Sequence, residues 1–405
     1  MRSPKIISFI LLFSLLLSSC SKEGKYTDSI PRQVDLLLQV DAQSLFQESI
    51  PESSSPILQS AVNSGIDWTQ KAYAFLEGNT VGLVAAVNDA DALSSFLQSD
   101  AVKAEIDADG DYTWATSDLF LVGYTEDCAV ALSYYGDAKL FRQRVRKLLE
   151  QDASDSFSSQ PAFQQLQASD SHLAAYASAA ALPEELIGKW LSFLPKDVEL
   201  SDLAALLKAD FQTGQIQLGA ELVSQDPRVQ KGIEELSAHL QKVDGVYADS
   251  IPAQATAFVS FHATPDLLNY LKQANRQIGI ALELLEQDPE GKDFLNQANG
   301  DVGVSVLGNS DLVLQNQGRN LVVNSTGVSA LGTSFLSSFR SAQNERGEGY
   351  LYAILDLPRL YPSPWTAPLD KVCLSWTAPT RVEATVTLQN REQNALKTLL
   401  EAWMR

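Results

Sequence analysis

The sequence contains few of the residues on which most enzyme chemistry depends. Only three histidines and three cysteines occur among 405 residues. His172, His239 and His262 stand apart from one another, and none belongs to an H-E-x-x-H run or another metal-binding spacing. A G-x-S-x-G nucleophile elbow is missing too, because residues 327–331 lack the second glycine. Neither a P-loop nor a G-x-G-x-x-G fingerprint occurs. We therefore predict a protein that is not an enzyme, with no catalytic residue, metal or cofactor.

Basic residues are also scarce. The chain has 30 Lys and Arg but 50 Asp and Glu, which gives a formal net charge of −20. Nucleic-acid binding and attraction to anionic headgroups both depend on clustered Lys and Arg, so this balance argues against them. The many acids leave one alternative open. A glycosidase-type pair of carboxylates meets in space rather than in sequence, so a carboxylate-based glycan hydrolase stays possible.

The cysteines are too few to form a disulfide framework. Beyond the N-terminal region only Cys128 and Cys373 occur, one in each half of the chain. They permit one disulfide, or they serve as two small buried hydrophobic residues, and we favour the second interpretation.

The sequence has one long apolar run, at residues 6–17, and it is too short to span a bilayer, which takes about 20 residues. Arg2 and Lys5 precede it, and the small residues Ser18 and Ser19 follow it. This arrangement is typical of a signal peptide, which we assign to residues 1–19. Its removal takes away two bases, so the formal net charge of the mature chain becomes −22.

Residues 17–20, Leu-Ser-Ser-Cys, resemble the bacterial lipobox. The resemblance implies a covalent lipid on Cys20, which anchors the protein to a membrane through a short tether at residues 20–25. Residue 21 is serine rather than the aspartate that retains enterobacterial lipoproteins in the inner membrane, so we expect the outer membrane. Whether the protein faces the periplasm or the cell surface is left open.

A short motif occurs twice at a constant offset. The first copy consists of Tyr26, Asp28, Ser29, Ile30, Pro31 and Gln33. The corresponding residues of the second copy are Tyr247, Asp249, Ser250, Ile251, Pro252 and Gln254. An apolar run follows each copy. Since proline favours extended geometry in the preceding residue, each copy is expected to begin the first strand of a domain. The repeat predicts two related domains from internal duplication, residues 26–246 and a shorter one, residues 247–405.

The hydrophobic pattern predicts the α+β class. Residues 72–87 are predicted to form a hairpin, and Asp89 or Asp91 to cap a helix that places Leu93, Phe96 and Leu97 on one face. Alternation of the same kind recurs in the C-terminal half. We therefore predict two domains of mainly antiparallel sheet with helices packed on one face.

The mature N-terminus, Y-T-D-S-I-P at residues 26–31 shortly after a lipidated cysteine, resembles a family of Bacteroidota lipoproteins known only as a domain of unknown function. Residues 160–166, which lead into a strand-like segment at residues 172–177, also match the family's pattern. The resemblance covers nearly the whole mature chain. It implies no reaction.

One acidic run approximates the alternating ligands of a calcium loop, with Asp107, Asp109, Asp111 and Asp118 as candidates. The glycine of the sharp turn is misplaced, however, because Tyr112 stands where it is needed. We therefore favour a solvated turn at Asp109-Gly110 and do not expect calcium.

A proline-rich loop carries the best candidate binding patch. Tyr361 and Trp365 lie in this loop and could present two aromatic rings to a glycan or a protein. The alternative is that both rings fold back onto the core.

These observations predict an envelope-anchored lipoprotein with a non-enzymatic binding or structural role. Its expected partners are the membrane, through the lipid, and an envelope protein or glycan. The alternatives are the carboxylate-based glycan hydrolase and a surface adhesin.

Overall fold

The structure is a computed structural model that describes residues 26–49, 61–133, 137–181, 199–224, 226–308, 310–317, 319–330, 339–340 and 349–403. The predicted signal peptide, Cys20 and the tether lie outside these residues. Contacts divide the chain into two compact units, Met1–Asp170 and Ser171–Arg405. Among the helices that the structure describes, none is long and apolar enough to span a membrane.

The first unit contains seven strands and four α-helices among its described residues. They are β1 (Leu36–Val40), α1 (Ala42–Ser49), β2 (Ala72–Glu77), β3 (Thr80–Ala86), α2 (Ala90–Gln98), β4 (Glu105–Asp109), β5 (Tyr112–Thr116), β6 (Phe120–Tyr124), β7 (Cys128–Ser133), α3 (Ala138–Glu150) and α4 (Pro161–Gln167). The strands pair antiparallel in the order β1-β2-β3-β7-β6-β5-β4. The hairpin predicted at residues 72–87 is confirmed as β2 and β3.

Helices cover both faces of this sheet. On one face, Val145 and Leu148 of α3 are buried, and Val145 packs so close to Gly123 that a Cβ at Gly123 would lie 2.6 Å from it. On the opposite face, Leu93 and Leu97 of α2 belong to a buried apolar cluster with side chains of β5, β6 and β7. The prediction that helices pack on one face is therefore wrong for this unit, because both faces of the strands carry apolar side chains that need a cover.

The first copy of the repeated motif is a buried anchor, with Tyr26–Ser29 forming a 3-10 helix. Tyr26 is 4% exposed and Ile30 is fully buried. The hydroxyl of Tyr26 donates to the carbonyl of Lys71 at 2.9 Å, and Ser156 Oγ donates to the carbonyl of Ile30 at 3.0 Å. Residues 34 and 35 separate the motif from β1, so the motif fixes the chain against the sheet before the first strand begins.

The second unit also combines antiparallel strands with helices. Its described elements are β8 (Leu173–Ser178), β9 (Leu203–Gln212), β10 (Gln215–Ser224), α5 (Pro227–His239), β11 (Ile251–Pro252), β12 (Ala255–Ala263), α6 (Pro265–Ala274), α7 (Arg276–Gln287), α8 (Pro289–Asn296), β13 (Gly300–Leu307), β14 (Leu312–Asn316), β15 (Arg319–Asn324), β16 (Gly327–Ala330), β17 (Phe339–Arg340), β18 (Leu351–Leu355), α9 (Leu357–Leu360), β19 (Leu369–Ala378), β20 (Arg381–Leu388) and α10 (Ala395–Trp403). The main sheet has the order β8-β9-β10-β20-β19-β18-β12-β13-β14-β15-β16. Strands β11 and β17 form a separate pair. The predicted α+β class with antiparallel sheets is confirmed.

The division of the chain differs from the predicted boundary after residue 246. Residues 171–246 group with the second unit because β10 pairs with β20, with Ile216 opposite Val386. Val243 also packs against the apolar cluster around Phe258. The repeated motif marks the entry to a strand in each unit rather than the boundary between units.

The second copy of the motif precedes β12 much as the first precedes β1. Ile251 is fully buried and begins β11, and β12 then pairs antiparallel with β13, as β1 pairs with β2. In both units a helical connection joins the two paired strands. The internal duplication stays a prediction.

Candidate apolar binding cavity

The face of the first sheet that lies under α2 carries several alanines among its larger apolar side chains. One row of residues crosses all seven strands, and its members are Leu38, Ala74, Leu83, Ala131, Val122, Ala115 and Ile106. Alanines thus flank Leu83 on both sides. Because neighbouring side chains in such a row stand only about 5 Å apart, small residues leave a hollow in the floor of the sheet.

Helix α2 covers only one side of this floor. Leu93 and Leu97 pack over Ala115, Val122 and Ala129, which belong to β5, β6 and β7. The floor continues past them into β3, where Val81 is 51% exposed and Leu83 is 53% exposed. Since alternate residues of a strand face the same way, the exposed pair extends the apolar surface beyond the helix.

The N-terminus of α2 is fixed by its cap and by a glycine. The Asp89 carboxylate accepts a hydrogen bond from the amide of Ala92 at 2.8 Å, as a helix N-cap does. Gly65 has a φ of +82°, and a Cβ there would lie 2.1 Å from the carbonyl oxygen of Asp89. Its own carbonyl accepts from the amides of Asn88 and Asp89 at 3.0 and 3.1 Å. The chain can therefore approach α2 this closely only through glycine.

This close approach places two more apolar side chains beside the floor. Ile66 forms a β-bridge with Val87, and the indole nitrogen of Trp68 donates to the carbonyl of Ala61 at 2.9 Å. Both side chains line the hollow. The connection between α1 and β2 thus contributes to the wall.

The hollow has a volume of about 590 Å³, within the roughly 300–1,000 Å³ range of small-molecule sites. Its main described lining residues are Val40, Ile66, Trp68, Ala72, Ala74, Val81, Leu83, Ala85, Leu93, Phe96, Leu97, Val102, Phe120, Val122, Ala129, Ala131 and Ser133. None of the described lining residues carries a charge. A cavity of this composition accepts an apolar molecule and offers no partner to an ionised group.

A hydroxyl pair secures α2 at the edge of the cavity. Ser94 Oγ and Tyr124 Oη lie 2.7 Å apart, and Ser94 Oγ also donates to the carbonyl of Ala90 at 2.9 Å. Burial raises the pKa of Tyr124, with the nearby Asp91 adding to the effect and the Ser94 hydrogen bond opposing it. The phenol therefore stays neutral and acts as a hydrogen-bonding group.

The candidate calcium ligands lie elsewhere in the first unit, and two of the four pair with arginines. Asp107 pairs with Arg142 at 2.9 Å and Asp109 with Arg146 at 2.5 Å. Asp111 follows Gly110, whose φ of +65° makes the tight turn between β4 and β5, and Asp118 lies between β5 and β6. Within the described part of the chain, these four carboxylates do not form a group close enough to share an ion. This geometry favours the solvated turn.

Tyr361 and Trp365 lie in the second unit and are exposed, at 70% and 63%. The alternative in which the rings fold onto the core therefore does not hold. Thr366 Oγ1 donates to the carbonyl of Tyr361 at 2.6 Å, which orders the loop between the rings. Their binding role stays a prediction.

The histidines and cysteines are placed in separate settings. His239 stacks on Tyr270, with ring centroids 4.8 Å apart, and His172 Nδ1 lies 3.2 Å from the Asp210 carboxylate. The thiol of Cys128 is buried, and Cys373 is half-buried. His262 faces Asp301, a pairing that the sequence spacing did not indicate.

The cavity itself was missed by the sequence reasoning. The alternation in β3 places Val81, Leu83 and Ala85 on one face, and this apolar set is visible in the sequence. That β3 pairs with β7, which supplies Ala129 and Ala131, depends on contacts across more than forty residues. The alanines of these strands were the available signal in the sequence, but only the strand order brings them together as the floor of a hollow.

Comparisons with known proteins identify a family and a few similar structures. The family model described as Domain of unknown function (DUF4836) matches residues 39–332. Crystal forms I and III of TP0453 share 14% and 15% identity with the chain, cover 55% and 54% of it and 86% and 88% of their own chains, and each has a TM-score of 0.35. The β subunit of a Streptococcus pyogenes DNA polymerase covers 87% of the chain and 99% of its own, at 8% identity and a TM-score of 0.12. None of the curated proteins matches the chain.

Proposed function

Since the chain belongs to the family described as Domain of unknown function (DUF4836), which brings no activity with it, we propose a function from the cavity: the first unit binds an aliphatic chain of a lipid-like molecule without altering it chemically. This is a specific form of the non-enzymatic binding role that the sequence predicts.

The proposal is supported by one observation, the volume of the cavity together with its apolar lining. A hollow of about 590 Å³ with an apolar wall gains little from ordered water, because water needs two to four polar partners. An aliphatic chain needs none. The uncharged wall also implies that a carboxylate or phosphate headgroup stays outside the cavity.

The expected affinity is moderate. Burying about ten methylenes contributes on the order of 8 kcal/mol, which corresponds to a Kd of about 1 µM before the entropy lost on association is subtracted. We therefore expect micromolar or weaker binding, with little dependence on the headgroup.

The glycan hydrolase is less well supported at this site. It requires two carboxyl groups about 5 to 10 Å apart on opposite sides of a sugar. The described lining of the cavity contains no acid, and an apolar floor lacks the polar groups that bind sugar hydroxyls. The surface adhesin alternative concerns a separate question, the location of the protein in the cell. An adhesin would bind through other surfaces, such as the one that carries Tyr361 and Trp365.

Titration of a dansyl-labelled fatty acid into the mature chain tests the proposal. Ala131→Phe places a ring in the floor beside Leu83 and should raise the Kd at least about tenfold by occupying the space that the chain needs. Ala108→Leu is the matched control, because Ala108 is an exposed alanine of the same sheet outside the cavity lining. Circular dichroism confirms that each variant is folded. Equal affinity of both variants and the unaltered chain would reject the cavity as the site.

The membrane address is a separate part of the proposal. The charged start, the apolar run at residues 6–17 and the Leu-Ser-Ser-Cys sequence support lipidation at Cys20. Cys20→Ala should move the protein from the membrane fraction to the soluble fraction, and separation of the two membranes tests the outer-membrane assignment. Retention of the Cys20→Ala variant in membranes would show that another feature anchors it.

A further inference from the structure

A histidine and two aspartates come together in the second unit. His262 on β12 lies directly opposite Asp301 on β13 in the strand register. Asp244 belongs to the loop that precedes the second copy of the repeated motif. One ligand atom from each residue lies within 4.8 Å of the other two. The three residues are far apart in sequence, so no spacing motif marks them.

The carboxylate of Asp301 is held rigidly by the loop beside it. The residue is only 6% exposed. Its Oδ1 accepts from the amide of Asp244 at 3.1 Å, and its Oδ2 accepts from the amides of Gly245 and Val246 at 2.7 and 3.2 Å. Since each oxygen has two lone pairs, Oδ1 keeps one acceptor position open. Hydrogen bonds of this kind orient carboxylates that bind metals.

The imidazole of His262 places a nitrogen without a hydrogen-bond partner near that carboxylate. Its Nδ1 lies 3.4 Å from Asp301 Oδ1, yet it is buried and has no hydrogen-bond partner among the described residues. His172 provides a comparison within the same unit. Its Nδ1 lies 3.2 Å from Asp210 Oδ1 but also accepts from the amide of Phe211 at 3.2 Å. His172 Nδ1 therefore has a hydrogen-bond partner, whereas His262 Nδ1 has none among the described residues.

The 3.4 Å between His262 Nδ1 and Asp301 Oδ1 fits two ligands of one metal ion. With metal–ligand distances of about 2.0–2.2 Å and a tetrahedral angle, neighbouring donor atoms lie roughly 3.4 Å apart. A hydrogen bond to a carboxylate is shorter, at about 2.7–2.9 Å. We propose that Asp244, His262 and Asp301 form a zinc site, with His262 Nδ1 and one carboxylate oxygen from each aspartate as ligands and water in the fourth position.

The ligand set favours zinc over calcium. Calcium takes six to eight oxygen ligands, whereas this set has two carboxylates and an imidazole, a combination that suits zinc and its neighbours in the first transition row. Asp244 is exposed, so an ion can enter from solvent without opening the sheet.

Zinc binding to the full mature chain at physiological salt tests the site. We expect one zinc per chain by equilibrium dialysis and metal analysis. Asp244→Asn and His262→Gln should each weaken binding more than about 100-fold, since even outer-shell partners are worth 10–100-fold. His239→Gln is the matched control because His239 stacks on Tyr270 outside the cluster, and it should leave binding unchanged. Cobalt should bind at the same place and give the visible absorption of a tetrahedral complex.

The outcomes separate the site from two simpler explanations. Uptake that does not saturate, or that both cluster variants retain, would show only attraction to an acidic surface. An absence of zinc binding, with the variants merely less stable, would show an ordinary His–Asp ion pair. Either result overturns the proposal. If His262→Gln fails to fold, the exposed position of Asp244 keeps the Asp244→Asn result decisive.

Discussion

The thiol of Cys128 is buried where β7 meets the N-terminal 3-10 helix. Its Sγ lies 3.4 Å from the hydroxyl of Ser29, a residue of the repeated motif. Burial raises the pKa of the Cys128 thiol to about 11, and the Ser29 hydrogen bond opposes this effect. The residue therefore behaves as a small hydrophobe, which is the interpretation that its sequence context favoured.

The raised pKa predicts a loss of stability at alkaline pH. Between the ordinary pKa of 9.0 and about 11, the unfolded chain has released the thiol proton while the folded chain keeps it. The free energy of unfolding should therefore be unaffected below pH 8 and fall by up to about 1.4 kcal/mol per pH unit above pH 9. Urea unfolding from pH 7 to 11 measures this.

Cys128→Ala is the control for that measurement. The variant lacks the titrating thiol and should lose less stability between pH 9 and 11, while the buried tyrosines contribute to both proteins. Parallel pH profiles of the two proteins would contradict a buried, protonated thiol.

At the level of the secondary-structure element, the position of helix α2 defines the cavity. Gly65→Ala forces a φ of +82° on a residue with a side chain and sets its Cβ against the Asp89 carbonyl, 2.1 Å away. The left-handed conformation alone costs about 1 kcal/mol, and the backbone clash should raise the total loss of unfolding free energy above about 3 kcal/mol. Fatty-acid binding should weaken as α2 is displaced.

Gly78→Ala separates the cost of the left-handed conformation from the cost of the backbone clash. Gly78 has a φ of +57°, and a Cβ added there would have no atom within 4 Å, so this substitution should cost only about 1 kcal/mol. Equal losses in the two variants, measured by urea unfolding, would mean that the Gly65 contact does not hold α2.

Local elements could be predicted from the sequence, but their assembly could not. The β2–β3 hairpin and the N-cap of α2 depend on neighbouring residues. The hairpin was predicted correctly, and the cap, predicted as Asp89 or Asp91, is Asp89. The pairing of β3 with β7 and the meeting of His262 with Asp301 depend instead on strand order. No sequence pattern specifies that order, because the backbone hydrogen bonds of a strand do not select its partner. The cavity and the His–Asp cluster were missed for this reason.

At the scale of the whole chain, the two proposed sites belong to different units. The cavity draws its described lining from residues 40–133, all in Met1–Asp170, whereas the zinc ligands lie between residues 244 and 301, in Ser171–Arg405. The repeated motif suggested a different division because the motif shapes the backbone that leads into a strand and does not mark a domain boundary. The boundary follows instead from strand pairing, since β9 pairs with β10 and β10 pairs with β20.

This separation predicts two independent patterns of amide protection. A bound ligand lowers the population of locally open states only where its contacts break on opening. Fatty acid should therefore slow hydrogen exchange in β2, β3, β7 and α2, and zinc should slow it at residues 244–246 and at the start of β13. Hydrogen exchange followed by mass spectrometry, with each ligand alone, measures both patterns in the same protein. Ala131→Phe should abolish the first pattern and keep the second, and Asp244→Asn should do the reverse. Protection by fatty acid that is centred on the second unit would place its site outside the cavity.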